Sequence, residues 1–398
     1  MESNTHALSD IAYMATDVPT HIYPLLGFLS ELELQGYNFD IYGQKNKLRS
    51  IFGTMGKNLF GYEELDWSHE GLPGLFKSTY HSFIKTIPAI EAVWEENKKK
   101  PKLIIADIFA TYAKYLAKKH NIPLLVFHST YFILQFSDKT CQELMRAQIG
   151  QTKRDDSLLT LQKEAEKYGI TLESVLDIYI EGDRNFSCIP EFLGGSITLK
   201  KDEFSYIGPA FRDEKKSEEN ENDCSEFTSD NNMIYVSLGA AGSNIVGYSF
   251  YDTIIEALGD TEHKVLISAG MGKAEELIAR GLPKNVTVKS WVPQMKVLEH
   301  SKLFISHVGA GGLMEAMLHG VPIIAVPNFA DQPINAEMVE RLNIGKGLKD
   351  KSVEGVRKLV EEVLKDGKIR ESCEKYKGKI DPKASKRKFV DIVKSIIN

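Results

Sequence analysis

The sequence predicts an α/β fold of two domains, each with a parallel sheet covered by helices. With 398 residues, the chain exceeds the roughly 250 to 300 residues at which a single core stops growing. Apolar runs typical of buried strands alternate with helix-like stretches in both halves. Between Arg212 and Asp230, eight acidic and three basic residues accompany one aromatic residue, a composition typical of a solvated linker.

The first half supplies one set of alternating elements. The predicted elements are a strand at 10–16, a helix at 23–36 with Pro24 near its first turn, a strand at 37–43, a strand at 102–109, a helix at 111–121 and a strand at 123–129. Residues 140–185 are helix-like and charged without strand signals, and they predict an excursion toward a ligand cleft or a lid.

The pattern restarts after the linker. The predicted elements are a strand at 233–239, a helix at 248–259, strands at 264–268, 285–291 and 302–307, a helix from 310 and a strand at 321–327. We therefore place domains at 1–211 and 231–380, with a linker at 212–230. The segment 381–398 predicts an amphipathic helix, which either packs back toward the N-terminal domain or presents a solvated basic face. In such sheets, a cleft between facing strand ends is the expected binding site.

Composition narrows the class of protein. The net charge of −6 argues against a general nucleic-acid binder. The start of the chain lacks the basic residues and apolar run of a signal peptide, and no apolar run approaches the roughly 18 residues of a membrane span. The cysteines have no metal-ligand spacing and predict reduced thiols: Cys141, Cys188, Cys224 and Cys373. Together these features predict a cytoplasmic location.

The stretch SHVGAGGLMEAM (306–317) places His307 and three glycines between a buried strand and a helix. A helix N-terminus offers unpaired backbone N–H groups and partial positive charge, and glycines admit an anion closely. A diphosphate would fit there. The alternative is a tight turn whose glycines only allow helix and strand to pack, with a half-buried His307. GAGGLM lacks the third glycine of the dinucleotide-binding motif GxGxxG, and the first turn of neither domain carries that motif. A nicotinamide-dependent dehydrogenase is therefore not expected.

Neighbouring segments add groups suited to a nucleotide sugar. Trp291 could stack on a planar base or could simply fill the core. Asp331, Gln332 and Asn335 follow a strand and suit sugar hydroxyls, although helix capping would explain Asp331 equally well. In chain order, the stretch offers a base shelf, a phosphate cradle and hydroxyl-binding groups, which is the order of a nucleotide sugar.

The runs WVPQ, HVGAGGLMEA and GVPIIAVPNFADQPINA resemble the donor-site signature of family 1 glycosyltransferases, the UDP-glycosyltransferases with the GT-B fold. YIGPAF and IYVSLGAAG resemble the soluble macrolide-type branch. The resemblance implies two Rossmann-like domains facing each other across a cleft, with the acceptor bound by the first domain and the nucleotide sugar by the second. It implies that Trp291 stacks on uracil, that Val292 binds the edge of uracil, and that Gln294 and Glu315 hold the ribose. It implies that the sugar is bound by Asp331 and Gln332. The residues implied for the diphosphate are His307, Gly309, Gly311, Gly312, Ser237 and Gly239.

The chain departs from the family pattern in the phosphate turns. Many members carry a hydroxyl residue where this chain has Ala240, and Ser or Thr where it has Gly312 and Leu313. Phosphate binding is therefore expected to depend more on backbone amides.

The first domain offers a candidate base. His21 stands near the end of the first strand, where a capping or surface role is the alternative. The family places its catalytic histidine in a GHxxP turn, which reads THIYP here with Thr20 in place of glycine. The resemblance thus implies His21 as general base and Asp107 as its supporting carboxylate, a role compatible with Asp107 capping a helix near Ala110.

Together these features predict an inverting, metal-independent transfer of a sugar, with glucose favoured, from a UDP-sugar to a hydroxyl, forming a β-glycoside without a cofactor. The alternatives are a nucleotide-sugar epimerase and a non-catalytic nucleotide-sugar-binding protein. The expected acceptor is a small apolar or aromatic alcohol or phenol, and a monomer is the expected oligomeric state. Several aromatic residues of the first domain could line the acceptor pocket or could belong to the core. They are Phe60, Tyr62, Trp67, Phe76, Tyr80, Phe83, Tyr131, Phe132 and Phe136.

Overall fold

The structure is a computed structural model, and the chain divides into two compact units. Unit 1 comprises residues 1–213 and 382–398, and unit 2 comprises residues 214–381. The described residues are 7–16, 19–62, 85–130, 162–163, 166–167, 169, 171, 181–194, 204–211, 232–239, 248–328 and 331–398. The predicted linker at 212–230 and nearly all of 140–185 lie outside them.

Unit 1 contains a parallel sheet of seven strands within the described ranges, in the order β3-β2-β1-β4-β5-β6-β7. The strands are β1 Ile11–Met14, β2 Phe39–Gln44, β3 Asn58–Tyr62, β4 Leu103–Asp107, β5 Leu124–His128, β6 Arg184–Ser187 and β7 Phe204–Tyr206. The helices are α1 Pro19–Leu34, α2 Lys45–Phe52, α3 Ile87–Glu96, α4 Thr111–His120 and the short α5 Glu191–Gly194, with one further helix from the end of the chain.

Unit 2 contains a second parallel sheet, with six strands in the part of the chain described, in the order β10-β9-β8-β11-β12-β13. The strands are β8 Met233–Ser237, β9 Lys264–Ser268, β10 Val286–Lys289, β11 Ser301–Ser306, β12 Ile323–Ala325 and β13 Gly345–Gly347. The helices are α6 Tyr248–Leu258, α7 Lys273–Ala279, α8 Gln294–Glu299, α9 Ala310–His319, α10 Gln332–Arg341, α11 Val353–Lys365 and α12 Gly367–Lys377.

The last helix, α13 Pro382–Ile397, belongs to unit 1. Its apolar face enters the unit 1 core, where the ring of Phe389 lies 5.2 Å from that of Phe28 on α1 and 5.0 Å from that of Phe186 on β6. Burial of such a face at about 25 cal/mol per Å² is what attaches an amphipathic helix to a sheet domain.

The predicted class, α/β with a parallel sheet in each half, is confirmed. The central strands are buried along their length, as β4 and β5 illustrate, because helices cover both faces. Since all the strands of a parallel sheet end at the same edge, that edge gathers the segments that follow β1, β4 and β5 in unit 1. In unit 2 it gathers those that follow β8, β11 and β12.

Two predicted boundaries are wrong. Helix α1 begins at Pro19, four residues before the predicted start, because Pro19 has the φ that suits the first helical position and lacks only an N–H that would be unpaired there. Pro24 therefore lies inside the helix instead of in its first turn. Strand β6 begins at Arg184, inside the segment 140–185 for which no strand was expected, because pairing with β5 supplies its hydrogen bonds.

Among the described residues, no helix combines the length and apolar character needed to span a bilayer. Cys188 and Cys373 are buried and form no disulfide, whereas Cys141 and Cys224 lie outside the described ranges.

Candidate active site

His21 and Asp107 lie together at the carboxyl edge of the unit 1 sheet. His21 occupies the first turn of α1, directly after β1, and Asp107 is the last residue of β4, which pairs with β1. The Nδ1 atom of His21 is 3.1 Å from Oδ2 of Asp107. The carboxylate is fully buried, whereas the histidine side chain keeps 18% of its surface exposed. Asp107 is therefore held inside the protein, while part of the His21 imidazole remains accessible to solvent.

The carboxylate of Asp107 is held from both sides. Its Oδ1 atom accepts the backbone N–H of Phe109 at 2.9 Å, which leaves Oδ2 to His21. The helix that follows begins at Thr111 with Ala110 at its N-cap and no side-chain capping bond, so Asp107 does not cap it. The alternative role of Asp107 as an N-cap is therefore wrong.

Two neighbours of the imidazole were not found by sequence reasoning. The hydroxyl of Ser129, just after β5, lies 3.1 Å from Nδ1 of His21, and the ring of Phe109 lies 4.6 Å from the imidazole centroid. The signal available in the sequence was their position, since each follows a buried strand by one or two residues. Both neighbours restrict the orientation of the ring.

A second buried imidazole stands close by. Burial lowers the pKa of His128 to about 4, and this effect outweighs the opposing hydrogen bond to Asn185 and the charge of Asp107. His128 is therefore neutral near pH 7, and its ring brings no positive charge to Asp107.

An ionised carboxylate only accepts hydrogen bonds, so Asp107 selects the His21 tautomer with its proton on Nδ1. The Nε2 atom then carries the lone pair and can take a proton. This arrangement has the geometry that a general base with an orienting carboxylate requires.

The second cluster is the turn between β11 and α9 in unit 2. His307 packs against two glycines: a Cβ on Gly239 would lie 2.7 Å from Cε1 of the imidazole, and a Cβ on Gly309 would lie 2.9 Å from its Nε2. Burial lowers the pKa of His307. A hydrogen bond with the backbone of Ser237 and the charge of Asp331 oppose this effect in part. The ring is thus neutral near pH 7 and fits only because both positions lack side chains.

The other predicted phosphate residues surround this turn. Gly309 is the N-cap of α9, and Gly311 and Gly312 lie in its first turn. A Cβ on Gly311 would meet nothing within 4 Å. Ser237 ends β8 and is largely buried, whereas Ala240 lies outside the described residues. Leu313 is fully buried, so its side chain is not exposed at this turn, and the glycines expose main-chain atoms.

The residues predicted for the nucleoside lie on two segments beside this turn. Trp291, Val292 and Gln294 lead into α8, and Glu315 lies on α9. The Trp291 side chain is 62% exposed, so its alternative role as a core residue is wrong, whereas Val292 is buried. Gln294, at the start of α8, donates through Nε2 to the carboxylate of Glu315 on α9. The exposed indole is available for stacking, and the amide and carboxylate form one polar unit.

Tyr235 supports that polar unit and was not found by sequence reasoning. Its hydroxyl donates to Oε1 of Gln294 at 3.1 Å, and its ring stacks on Phe304 with centroids 5.0 Å apart. Burial raises the pKa of Tyr235, so the hydroxyl stays protonated and able to donate. The bond fixes which end of the Gln294 amide faces Glu315.

The residues expected at the sugar occupy the start of α10. Asp331 takes the N-cap position but makes no side-chain capping bond; its Oδ2 accepts from Nδ2 of Asn335 at 2.9 Å. Gln332 is largely buried, and its Oε1 accepts the backbone N–H of Asn328 at 2.8 Å. Asn335 is fully buried. The suggestion that Asn335 binds a sugar hydroxyl is therefore wrong, because its side chain faces the protein interior.

The acceptor residues are described only in part. The ring of Phe60 stacks on Tyr42 at 5.3 Å and packs against the core, which favours its alternative role. Tyr62 ends β3, and its side chain lies outside the described set, as do the remaining seven aromatic residues. Within the described residues, no group of three or more His, Cys, Asp or Glu is placed to hold a metal ion.

Comparison with known proteins shows which enzymes the chain resembles. The family model described as UDP-glucoronosyl and UDP-glucosyl transferase matches residues 204–376, which include every residue predicted for the donor. An NDP-glycosyltransferase, YjiC, of Bacillus licheniformis is 27% identical over 82% of this chain and 82% of its own. The chain is thus similar to UDP-glycosyltransferases over residues 204–376 and to an NDP-glycosyltransferase over most of its length. It is therefore an enzyme, a glycosyltransferase, as the motifs predicted.

Further relatives of this glycosyltransferase agree. The oleandomycin glycosyltransferase of Streptomyces antibioticus is 23% identical over 74% of the chain and 68% of its own length. The solved glycotransferase of kitacinnamycin superposes with a TM-score of 0.78 at 22% identity, covering 98% of this chain and 99% of its own. The calicheamicin glycosyltransferase CalG4 gives a TM-score of 0.73 at 20% identity, covering 98% and 99%. These structures confirm the GT-B fold.

Gly239→Ala is expected to weaken UDP binding by the glycosyltransferase about tenfold or more. Gly239 has a φ of +69°, and a left-handed φ costs a residue with a Cβ about 1–3 kcal/mol, where 1.4 kcal/mol is tenfold in affinity. The added Cβ would also collide with the His307 ring. Isothermal titration with UDP measures the effect.

Gly367→Ala is the matched control, because a Cβ on Gly367, at the start of α12, meets nothing within 4 Å. It should bind UDP like the wild type. Equal UDP affinity in both variants would remove His307 and Gly239 from the donor site.

Proposed function

We propose that this enzyme transfers a sugar, glucose, from a UDP-sugar to the hydroxyl of a small apolar or aromatic acceptor. The transfer is a one-step displacement that inverts the anomeric carbon and gives a β-glycoside, without a metal ion or cofactor. The observation that carries the proposal is the pair of His21 and Asp107, with Nδ1 and Oδ2 3.1 Å apart. A protein that only binds a nucleotide sugar has no need of an oriented base.

The chemistry follows from the tautomer that Asp107 selects. Nε2 of neutral His21 takes the proton of the acceptor hydroxyl while that oxygen forms a bond to the anomeric carbon. The bond from that carbon to the diphosphate oxygen breaks, and UDP leaves with the electron pair. Asp107 stabilises the imidazolium that results, and the proton then passes to solvent.

The unit 2 cluster supports a diphosphate-linked donor. The N-terminus of α9 carries unpaired amides and partial positive charge, which favour the negative charge that develops on the leaving diphosphate. This turn would take the role that a metal ion plays in other enzymes. The Trp291 face would carry uracil, and Gln294 with Glu315 the ribose.

Glucose is favoured because the groups expected at the sugar are neutral or acidic. Asp331 and Gln332 suit neutral hydroxyls, and no arginine occurs between residues 281 and 340 to bind a sugar carboxylate. The acceptor class rests on the aromatic residues of the first domain, and on similarity to glycosyltransferases named for small natural products such as oleandomycin.

A product assay tests this proposal. Purified enzyme is incubated with UDP-glucose, UDP-glucuronate or UDP-N-acetylglucosamine, with and without a panel of phenols and macrolides, in the presence of EDTA. We expect acceptor-dependent UDP release, fastest with UDP-glucose and unaffected by the chelator, and a β-anomeric product by proton NMR. Epimerisation of the UDP-sugar without acceptor would identify an epimerase. Binding of the UDP-sugar without turnover would identify a carrier protein, and an α-anomeric product would identify a retaining enzyme. Each of these results would contradict the proposal.

A further inference from the structure

Val308 has a backbone conformation that its own side chain disfavours. It lies between His307 and Gly309 in the turn between β11 and α9, here called the phosphate turn (residues 307–309); it is fully buried and has a φ of +55°. This is the left-handed region, in which a β-branched residue is a genuine outlier. Such a conformation persists only where the surroundings hold it, and these positions cluster at ligand-binding sites.

Two side chains hold the peptide groups on either side of Val308. Nδ2 of Asn335, on α10, donates to the Val308 carbonyl oxygen at 2.8 Å, and the Val308 N–H donates to Oγ of Ser306 at 3.1 Å. The other hydrogen of the Asn335 amide goes to Oδ2 of Asp331 at 2.9 Å. The amide orientation is set by this chemistry, because the reverse orientation would place Oδ1 against two acceptors.

The two ends of the buried Asn335 amide differ in their contacts. Its Oδ1 is buried and has no hydrogen-bond partner among the residues described. An apolar side chain in this place would leave the carbonyl of the buried Val308 without its donor, which is destabilising. The reason for an asparagine here is therefore found in the turn that its Nδ2 holds.

The peptide plane explains what that bond achieves. In a planar trans peptide the C=O of Val308 and the N–H of Gly309 point in opposite directions. With the carbonyl directed at Asn335, the Gly309 N–H points away from α10. A Val308 that relaxed to negative φ would reorient both peptide groups and disturb the first amides of α9.

We propose that Asn335 is a positioning residue for the transfer reaction: it holds Val308 left-handed so that the amides of the phosphate turn face the diphosphate, and it ties this turn to Asp331. The inference rests on the proposed UDP-sugar site. It gives the buried side chain of Asn335 a role that acts through the backbone, without contact with the substrate.

Asn335→Ala is expected to weaken UDP binding about tenfold, because the apparent Kd is divided by the fraction of molecules with a competent turn. The KM for the donor should rise in parallel, while kcat at saturating donor stays within about twofold. Isothermal titration with UDP and initial rates measure the two quantities.

Rescue separates positioning from general destabilisation. Glycine adopts positive φ about as readily as negative φ, so Val308→Gly in the Asn335→Ala background should recover most of the UDP affinity. Val308→Ala in the same background is the matched control. It removes nearly the same side chain but keeps the Cβ that opposes a left-handed backbone, and it should give no recovery.

The outcomes are distinguishable. If wild-type enzyme does not bind UDP, the proposed function fails; if it does and Asn335→Ala binds equally well, this inference fails. Equal rescue by Val308→Gly and Val308→Ala would also overturn it. Should Asn335→Ala not fold, Ser306→Ala loosens the same turn from its other side, and the same pair of Val308 substitutions must again differ.

Discussion

Replacing His21 with alanine is expected to lower kcat by about 10² to 10⁴-fold, the range that general base catalysis typically supplies. The substitution removes Nε2, the atom that takes the acceptor proton, and leaves every residue predicted for UDP in place, because those residues belong to unit 2. UDP affinity should therefore stay within about twofold of the wild type. Initial rates with saturating donor, together with titration of UDP, measure the two effects.

His120→Ala is the matched control for this prediction. His120 also lies in unit 1 and also contacts a carboxylate, with Nε2 2.6 Å from Oε1 of Glu91, but it ends α4 away from the carboxyl edge of the sheet. The control should keep its turnover. Unchanged turnover in His21→Ala, or an equal loss in both variants, would contradict the assignment of His21 as the base.

Much of the site could be predicted from the sequence because parallel sheets impose a simple rule. His21 and Asp107 are 86 positions apart, yet each follows a buried apolar run, and strand ends share one edge. The sequence could not tell that β1 and β4 are neighbours in the sheet, since strand order is decided by long-range pairing. The motif resemblance supplied that step, and the observed contact agrees with it.

Three of the elements that the sequence analysis did not predict have little side-chain pattern of their own. Strand β13 reads only GKG and exists because it pairs with β12. Strand β7 has three residues, and helix α2 begins with the polar run Lys45, Asn46 and Lys47. Tertiary contacts decide these elements, so periodicity and propensity contain little information about them.

Supporting residues of the site were missed for a related reason. Tyr235 is part of a buried strand, and its role depends on a hydrogen bond to a residue 59 positions away. The left-handed backbone of Val308 runs against the preference of a β-branched residue, so local reasoning predicts the opposite conformation. The conformational preference of valine and the observed backbone therefore disagree at the turn that is proposed to bind the diphosphate, and such disagreements are expected at functional sites.

Asp107→Asn is expected to lower kcat by about 10²-fold or more, although it changes no atom of the base itself. Oδ1 of residue 107 accepts the Phe109 N–H, so an asparagine keeps its carbonyl oxygen there and turns its NH₂ group toward His21. That donor selects the imidazole tautomer with the proton on Nε2. The base then presents an N–H where the reaction requires a lone pair, and the stabilising charge behind the imidazolium is lost.

Asp40→Asn separates this effect from the loss of a buried charge. Asp40 on β2 is equally buried in unit 1 and accepts hydrogen bonds from Ser9 and Asn58, and none of the histidines that the structure describes contacts it. Both variants should melt at lower temperature, because each loses hydrogen bonds to a charged acceptor. Only Asp107→Asn should lose kcat per folded molecule, measured as initial rate against active protein by UDP titration. If the two variants lost stability alike and neither lost kcat, Asp107 would serve the fold of the sheet edge and not the base.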